Sequence, residues 1–595
     1  MRRYLSLLFA LAFALCLLLP AGAWALERFD TFDDGGYRYM VASDPADPRE
    51  VDLIGYAGEK PTGHIVIPAT ATNAGEDYSV TSIGGYTFEG CPGLTSVFIP
   101  ASVTYVEGGA FVGCAGLEEI QVDPQNAAYK IENGALYTKD GTTLVAYPAA
   151  KAIGRVTIPA GVTVIGVNAF EGCAGLTGVT LPASLQKIGV GAFGETGLTG
   201  IAIPAKVDFI GEGAFRSCGS LAAITVAQGN NFYRSEEGVL YSGNGATLHT
   251  YPAGKPGRDF AIPQGVTKIG SDAFYGCKNL ARVTIPSGVT HIGDGAFFEC
   301  AGLAGITIPA GVVDLGRNTF ALCNSLAAFT LEPGNAHYQA KDGVLYTPDG
   351  KTLVYYPGGR RGAFAVPDDV EKIQGFAFNG CGGLTSVEIP AGVTTIGNQA
   401  FASCGNLRSV TFRTATPPAM GLKAFVYNPA GMAVYVPAGS EAAYRRELER
   451  ETWAKDFRIN PPPVGGDYTV GRYAMLAGDG SSWPGAGSLS FTSEGPFAGY
   501  QWAQVDGARL PLESALVTEG STVLTLKESY LATLAPGSHT LYMQFSGGYS
   551  EATFTTGGAL VGPPKTGDSP ALWACVATLA LGAAGYGLAR RKRRG

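Results

Sequence analysis

Residues 266–288 read VTKIGSDAFYGCKNLARVTIPSG, and the next residues, from Val289, run VTHIGDGAFFECAGLAGITIPAG. Val312 opens a third copy of the template V-x-x-I-G-x-x-A-F-x-x-C-x-x-L-x-x-V-x-I-P. Its phenylalanine recurs at Phe88, Phe111, Phe170, Phe193, Phe215, Phe274, Phe297, Phe320, Phe378 and Phe401, most steps being 23 residues. A fixed period in this range marks a chain that winds as a solenoid. Each copy holds two short alternations of β-branched residues, Val266 with Ile269, then Leu280, Val283 and Ile285, which argue for strands. Gly270 and Gly276 supply permissive backbone at the corners. Pro286 ends the second strand because it has no N–H for a ladder. A single copy buries too little to fold alone, so the copies must stack and share one core.

The I-G-x-x-A-F and L-x-x-V-x-I-P signatures, found in ten copies over roughly residues 50–460, resemble the BspA-type leucine-rich repeat of bacterial surface proteins. Departures are small. Tyr86-Thr87-Phe88 and Asn318-Thr319-Phe320 carry threonine for alanine, and the copy at Phe193 has lost a residue around Gly194–Thr196. The fold class expected is mostly β: a leucine-rich repeat β-solenoid of about ten 23-residue repeats, three inserted β-hairpins, a small β-sandwich and a C-terminal transmembrane helix. The resemblance implies adhesion to extracellular-matrix proteins.

Working outward, residues 1–25 form a secretory signal peptide: basic Arg2-Arg3, an apolar core from Leu5 to Leu19, and cleavage between Ala25 and Leu26. Residues 26–79 are expected as an irregular N-terminal cap in which only His64–Pro68 resembles a repeat strand. The solenoid with its C-terminal cap is assigned to residues 80–460. Within it, three segments of about 36 residues follow the second, fifth and eighth copies. The first runs Asn126-Ala127-Ala128-Tyr129, Gly134-Ala135-Leu136-Tyr137, Asp140-Gly141 and Tyr147-Pro148. Asp-Gly or Asn-Gly between apolar runs predicts a hairpin projecting every third repeat. The pattern fades after Phe412, Val434–Pro437 gives a last strand, and the charged run Glu441 to Trp453 reads as a helical cap.

Pro461–Pro463 begin a stiff linker, 461–464. Residues 465–557 read as a β-sandwich with one short helix near Lys527–Leu534. The run S-T-V-x-T-L-x-x-S-Y-L-x-T-L and the later G-x-H-T-L resemble the X2-type immunoglobulin-like module of bacterial surface proteins. Some relatives of that module are carbohydrate-binding; Trp483 and Trp502 fit either a sandwich core or a glycan platform. Residues 558–595 hold Pro563-Pro564-Lys565-Thr566-Gly567, an apolar run at 571–589 long enough to span a bilayer, and five basic residues that stay inside. This order resembles a sortase (LPxTG-like) sorting signal with Pro563 in place of leucine. The resemblance implies cleavage between Thr566 and Gly567, with sortase and cell-wall peptidoglycan as partners. It places the protein outside a Gram-positive-type cell, touching the membrane only through the C-terminal helix. A plain membrane anchor is the alternative.

The formal charge is −8, and removing both processed ends leaves −14, a poor composition for nucleic-acid binding. Nine of the 11 cysteines occupy one template position, an odd number of equivalent thiols without unique partners, which reads as buried free thiols rather than disulfides. No C-x-x-C pair, nucleophile elbow, phosphate loop or paired-carboxylate motif occurs, so neither metal nor other cofactor, and no enzyme activity, is expected. His249, His291 and His337 each replace a different residue in sister copies, as packing or surface residues do. Two surfaces remain for a protein or glycan ligand on a host or other cell. One is the outward strand row Thr180, Thr225, Thr284, Thr307, Thr330 and Thr411. The other is the hairpin tyrosines Tyr137, Tyr241 and Tyr346. β-Propensity explains the threonines equally well, and a small satellite core the tyrosines.

Overall fold

The structure, a computed structural model, describes residues 29–41, 49–449, 457–460, 471–472, 475–477, 481–483, 488–496, 500–506, 508–509, 515–518, 521–545 and 548–556. The signal peptide, the proline linker, the sorting signal and the apolar run 571–589 lie outside the described residues. Among the described residues no helix is long and apolar enough to cross a membrane. The chain divides into two compact units, one up to Asn460 and one from Pro461.

Each 23-residue copy forms one coil with two short parallel strands. In the central copies Lys268–Ile269, His291–Ile292 and Asp314–Leu315 pair in register as a first ladder. The second ladder is built from strands such as Gly305–Ile308 and Ala328–Leu331, with Ile306 opposite Phe329. Between the ladders the chain turns a corner, and the corner is also bonded from coil to coil. The Phe274 N–H donates to the Ala296 carbonyl at 2.8 Å, and that of Phe297 to the Thr319 carbonyl at 2.9 Å. The template apolar residues Val266, Ile269, Phe274, Cys277, Leu280, Val283 and Ile285 are all buried. Strands of two to four residues cannot bury a face alone, so the stack itself is the core.

The template phenylalanines lie ring over ring. Successive centroids are 4.6 to 5.8 Å apart and the planes differ by no more than 16°. The row extends beyond the ten phenylalanines of the sequence pattern. Phe425 stacks on Phe401 at 5.1 Å, so the repeat continues past Phe412. Tyr147, Tyr251 and Tyr356 stack on Phe170, Phe274 and Phe378 at 5.0, 5.3 and 4.9 Å. Their N–H groups donate to Ala169, Ala273 and Ala377 as the phenylalanines' do. Each inserted segment therefore ends in a shortened coil of its own. Leu144 to Tyr147 spans the corner that needs Ile165 to Phe170 elsewhere, and no Gly-x-x corner is present.

The expected projecting hairpins are instead woven into the stack. Tyr129–Glu132, Ala135–Thr138 and Thr143–Ala146 form an antiparallel meander, and its last strand pairs parallel to Val164–Ile165 of the next coil. The expected Asp140-Gly141 turn (Gly141 φ 77°) joins the last two strands, and a further tight turn at Asn133-Gly134 (φ 50° and 80°), matched by Glu237-Gly238 and Asp342-Gly343, joins the first two. Two successive positive φ values give the turn whose twist suits a hairpin. The middle strand is buried on both faces. Leu136 enters the core shared by residues 39–136, whereas Ala135 and Tyr137 enter the next core. Leu240 and Leu345 repeat the division against Val239, Tyr241, Val344 and Tyr346. The meander is thus a wall between successive cores.

It also closes the ladder that it interrupts. Tyr105–Val106, Phe209–Ile210 and Asp314–Leu315 each stand last in a sheet. The outer N–H groups of Val106, Ile210 and Leu315 donate to the hydroxyls of Tyr129, Tyr233 and Tyr338 at 2.8, 2.8 and 3.1 Å. Three residues earlier, Asn126 and Asn230 donate to the carbonyls of Pro100 with Val103 and Pro204 with Val207, and Asn335 to that of Pro309. The second ladder ends on the hairpin turns: the Ile224 and Phe329 N–H groups donate to Gly238 and Gly343 carbonyls at 2.9 Å.

The N-terminal cap is more regular than its sequence reading. Thr31–Asp34, Tyr37–Val41, Glu50–Tyr56, Glu76–Ile83 and Thr70–Asn73 form one sheet in that spatial order, and Gly63–Val66 pairs parallel to Leu94–Ile99. At the other end helix Glu441–Glu449 buries Tyr444 and Leu448. Tyr444 packs on Phe412 with centroids 4.8 Å apart and donates to the Thr414 carbonyl. Glu447 accepts the Met420 N–H, closing the final ladder at 3.3 Å. In the second unit two sheets face each other across Phe491, Leu524 and Leu526 from one and Val505, Leu541, Met543 and Phe554 from the other. The short helix is Glu528–Leu531. Trp483 and Trp502 fall in strands Ser481–Trp483 and Tyr500–Val505.

Replacing Tyr233 by Phe removes one acceptor and leaves the Ile210 N–H buried without a partner. Urea unfolding of Tyr233→Phe is expected to show a loss of about 1–2 kcal/mol; an unchanged midpoint would remove the hydroxyl from its capping role.

Candidate interaction surface

The second ladder carries the threonine row. Its parallel register sets Thr157 against Thr180, Ala202 against Thr225, Ala261 against Thr284, Thr307 against Thr330 and Glu388 against Thr411. Thr180, Thr225, Thr284, Thr307 and Thr330 are exposed and Thr411 is half-buried. The Thr307 and Thr330 hydroxyls are 2.7 Å apart. The row is one file of positions along the solenoid, interrupted by alanines and continued by Phe98, Gln121 and Tyr435.

The tyrosine surface does not exist. Tyr137, Tyr241 and Tyr346 lie in the core, between 2 % and 4 % exposed. They sit on the wall strand, where neighbours on both sides leave no solvent face. The sequence shows the alternation but not that both faces are covered.

The nine cysteines are free and buried. The thiols of Cys114, Cys300, Cys323 and Cys404 each donate at 3.1 Å to the carbonyl of the phenylalanine one coil back, and Cys218 does so at 2.9 Å. In the shortened copy Thr196 stands at the thiol's place and donates to the carbonyl of Phe193 in its own coil, which also receives the Cys218 thiol. Burial pushes the thiols of Cys114, Cys173, Cys323 and Cys404 up to about 12. A thiol held protonated is neither nucleophile nor metal ligand. The threonines of the two altered copies follow the same logic: Thr87 and Thr319 donate to the corner carbonyls of Gly84 and Gly316 at 2.7 and 2.6 Å.

His249 and His539 are engaged structurally. His249 contacts the Ile210 carbonyl and Thr250 hydroxyl, at 3.0 and 2.8 Å, and burial lowers its pKa. In the second unit Asp506, His539 and Thr556 lie in a line, with 2.6 Å from Asp506 Oδ2 to His539 Nδ1 and 2.9 Å from Nε2 to Thr556 Oγ1. The Thr556 hydroxyl is buried and donates to the Ala535 carbonyl at 2.7 Å, which ties it down as a latch rather than offering a nucleophile. No group of three or more His, Cys, Asp or Glu with metal-binding geometry occurs among the described residues.

The corner residue before the Ala-Phe pair is left-handed in every regular coil: Tyr86, Gly109, Asn168, Gly191, Gly213, Asp272, Gly295, Asn318, Phe376, Gln399 and Lys423 all have φ between 52° and 84°. Sequence reading assigned this need to Gly270 and Gly276; the Asp272 position had no glycine to flag it. Two buried ionic features lie along this edge. Glu171, whose carboxyl burial raises in pKa, pairs with Arg216 two coils on, across Gly191 and Gly194. Asp272 is pushed up to about 6, chiefly by burial, with Arg216 opposing and Glu212 and Asp294 adding to the rise.

Stacked coils with a wholly buried thiol-and-aromatic core, and an outward strand file as the exposed feature, define a leucine-rich β-solenoid. The chain belongs to the BspA type leucine rich repeat region family, whose pattern matches in six copies at residues 74–148, 146–242, 255–343 and 362–431. That family comprises leucine-rich repeat surface proteins and is not an enzymatic one. Solved structures similar to the chain include a leucine rich cell surface protein from Faecalibacterium prausnitzii, 28 % identical over 65 % of this chain and 95 % of that one, TM-score 0.34. A leucine-rich repeat protein from Eubacterium ventriosum is 22 % identical over 67 % and 95 %, TM-score 0.33. The pneumococcal vaccine antigen PcpA is 17 % identical over 73 % and 100 %, TM-score 0.28. No curated protein matches.

For Asp272 the folded pKa of about 6 lies above the ordinary 3.8. Folding therefore favours the protonated acid, and this residue makes stability fall as pH rises from about 4 to about 6. Asp272→Asn is expected to stabilise the protein by about 1–2 kcal/mol at pH 7, with the gain vanishing below about pH 4. Thermal unfolding against pH checks it; a gain that persists at pH 3 would assign the effect to something other than ionisation.

Proposed function

We propose that the protein is exported, anchored to the wall by its C-terminal signal, and presents the solenoid as an adhesin for host or neighbouring-cell macromolecules. The observation that carries this reading is the exposed file of strand positions through Thr180, Thr225, Thr284, Thr307 and Thr330, on a unit whose thiols and most of whose template phenylalanines are sequestered inside. A flat file of small polar side chains on a rigid ladder suits an extended macromolecular partner better than a small molecule, which needs concavity. Membership of the BspA-type family is in keeping with a binding role. The second unit serves in this reading as an X2-type immunoglobulin-like module between the solenoid and the wall.

Separate fragments 26–460 and 464–557, following the division of the chain at Asn460, test the assignment on immobilised matrix proteins and wall glycans. Saturable binding is expected from the solenoid fragment and should fall several-fold when Thr284, Thr307 and Thr330 are changed together to Lys. Binding by the second fragment alone would move the activity to the sandwich, and binding by neither would leave a structural wall component.

Anchoring has its own test. Thr566→Ala is expected to shift the protein from the wall to the membrane fraction; unaltered fractionation would exclude a sortase.

A further inference from the structure

The repeating contacts that join one coil to the next are interrupted together at three places. The stacked rings run in four separate files: Phe88 with Phe111, Tyr147 to Phe215, Tyr251 to Phe320, and Tyr356 to Phe425. Among the described residues no ring contact joins Phe111 to Tyr147, Phe215 to Tyr251 or Phe320 to Tyr356; Phe320 meets Tyr355 edge-on instead. The corner bonds stop with the rings. Phe170 and Phe193 donate to the Ala192 and Ala214 carbonyls, whereas the N–H groups of Phe111, Phe215 and Phe320 reach no carbonyl of the next coil. The first ladder ends at the same places, after Val106, Ile210 and Leu315. At the first break a cavity of about 20 Å³ is lined by Phe111, Tyr147 and Asn168. The buried apolar side chains divide likewise, into four clusters whose members interleave only along the meanders.

What crosses a wall is of another kind. At the second wall the Tyr233 hydroxyl caps Ile210 at 2.8 Å, and Asn230 reaches the Pro204 and Val207 carbonyls. Single backbone bonds run from Ile224 to Gly238 and from Gly254 to Leu221 at 2.9 Å, with a longer one from Ser217 to Tyr275 at 3.4 Å. Inside a block, successive coils share strand pairing, corner bonds and stacked rings at once. In a linear array of repeats, cooperativity ends at the interfaces that lack the repeating contacts.

We propose that the solenoid is a mechanical extender of four blocks, residues 29–125, 126–229, 230–334 and 335–460, which opens at the meander walls one block at a time while the other blocks stay folded. Tension between a held partner and the anchored end then lengthens the protein in steps and spares the ladder faces of the closed blocks. This goes beyond the adhesin reading, because the blocks open alike whether or not a partner is bound.

The full chain is tested in two ways. Hydrogen exchange is followed peptide by peptide in wild type and in Phe297→Ala, which thins one ring file. Amides of Lys268–Ile269, His291–Ile292 and Gly305–Ile308 are expected to exchange at least tenfold faster. Those of Val164–Ile165, Lys187–Ile188, Lys372–Ile373 and Ser409–Phe412 should stay within about twofold of wild type. Phe193→Ala should reverse the pattern, accelerating Val164–Ile165 and Lys187–Ile188 alone. A block unfolded outright by its substitution counts the same, since its neighbours carry the readout. Equal acceleration in all four blocks, or one that fades coil by coil past Tyr233 or Tyr338 without a step, would overturn the proposal. In optical tweezers, with handles inserted after Phe29 and Asn460, wild type should lengthen in steps of about 350–450 Å, one block each. One large step, or steps of about 80 Å, the length of a single coil, would overturn it equally.

Discussion

Every other feature depends on one coil accepting the next at the aromatic corner. There the phenylalanine ring lies on its neighbour's, the backbone N–H reaches the next coil's carbonyl, and the cysteine thiol reaches back one coil. Three contacts converge within a few residues, and each needs the same residue at the same place in the following turn. Strands as short as Lys268–Ile269 would not survive by themselves. They persist because the corner fixes their register, with Ile269, Ile292 and Leu315 all meeting inside.

A stack of this kind has a weakness wherever it stops, since a ladder end exposes unpaired backbone groups that invite further strands. The chain meets the problem internally three times. The inserted meander ends one ladder with a tyrosine hydroxyl, fixes that tyrosine through the asparagine three residues earlier, and starts the next ladder with its last strand. Glu447 serves the same purpose at the final edge. The solenoid unit is consequently a series of separate cores joined by shared walls, with Leu136, Leu240 and Leu345 facing back and their neighbours facing forward.

The threonine file repeats with the coil because its positions face outward on the second ladder, where they are free to vary while the core template is kept.

The period, the inward phenylalanines, the buried thiols and the closing helix were readable in the residues, because each depends on local pattern repeated many times. The coil, in short, is written locally. Partnership between segments was not readable. Tyr137 looks like any exposed hairpin tyrosine until a second core covers its far face. Tyr147 passes for a loop residue until its ring is found on Phe170. The regularity of residues 31–83 was hidden because most of its strand pairs are antiparallel and lie outside the template. The left-handed corner was visible only where glycine marked it. Those features follow from the fold, since two-sided burial and edge closure are properties of neighbouring coils that no single stretch of chain encodes.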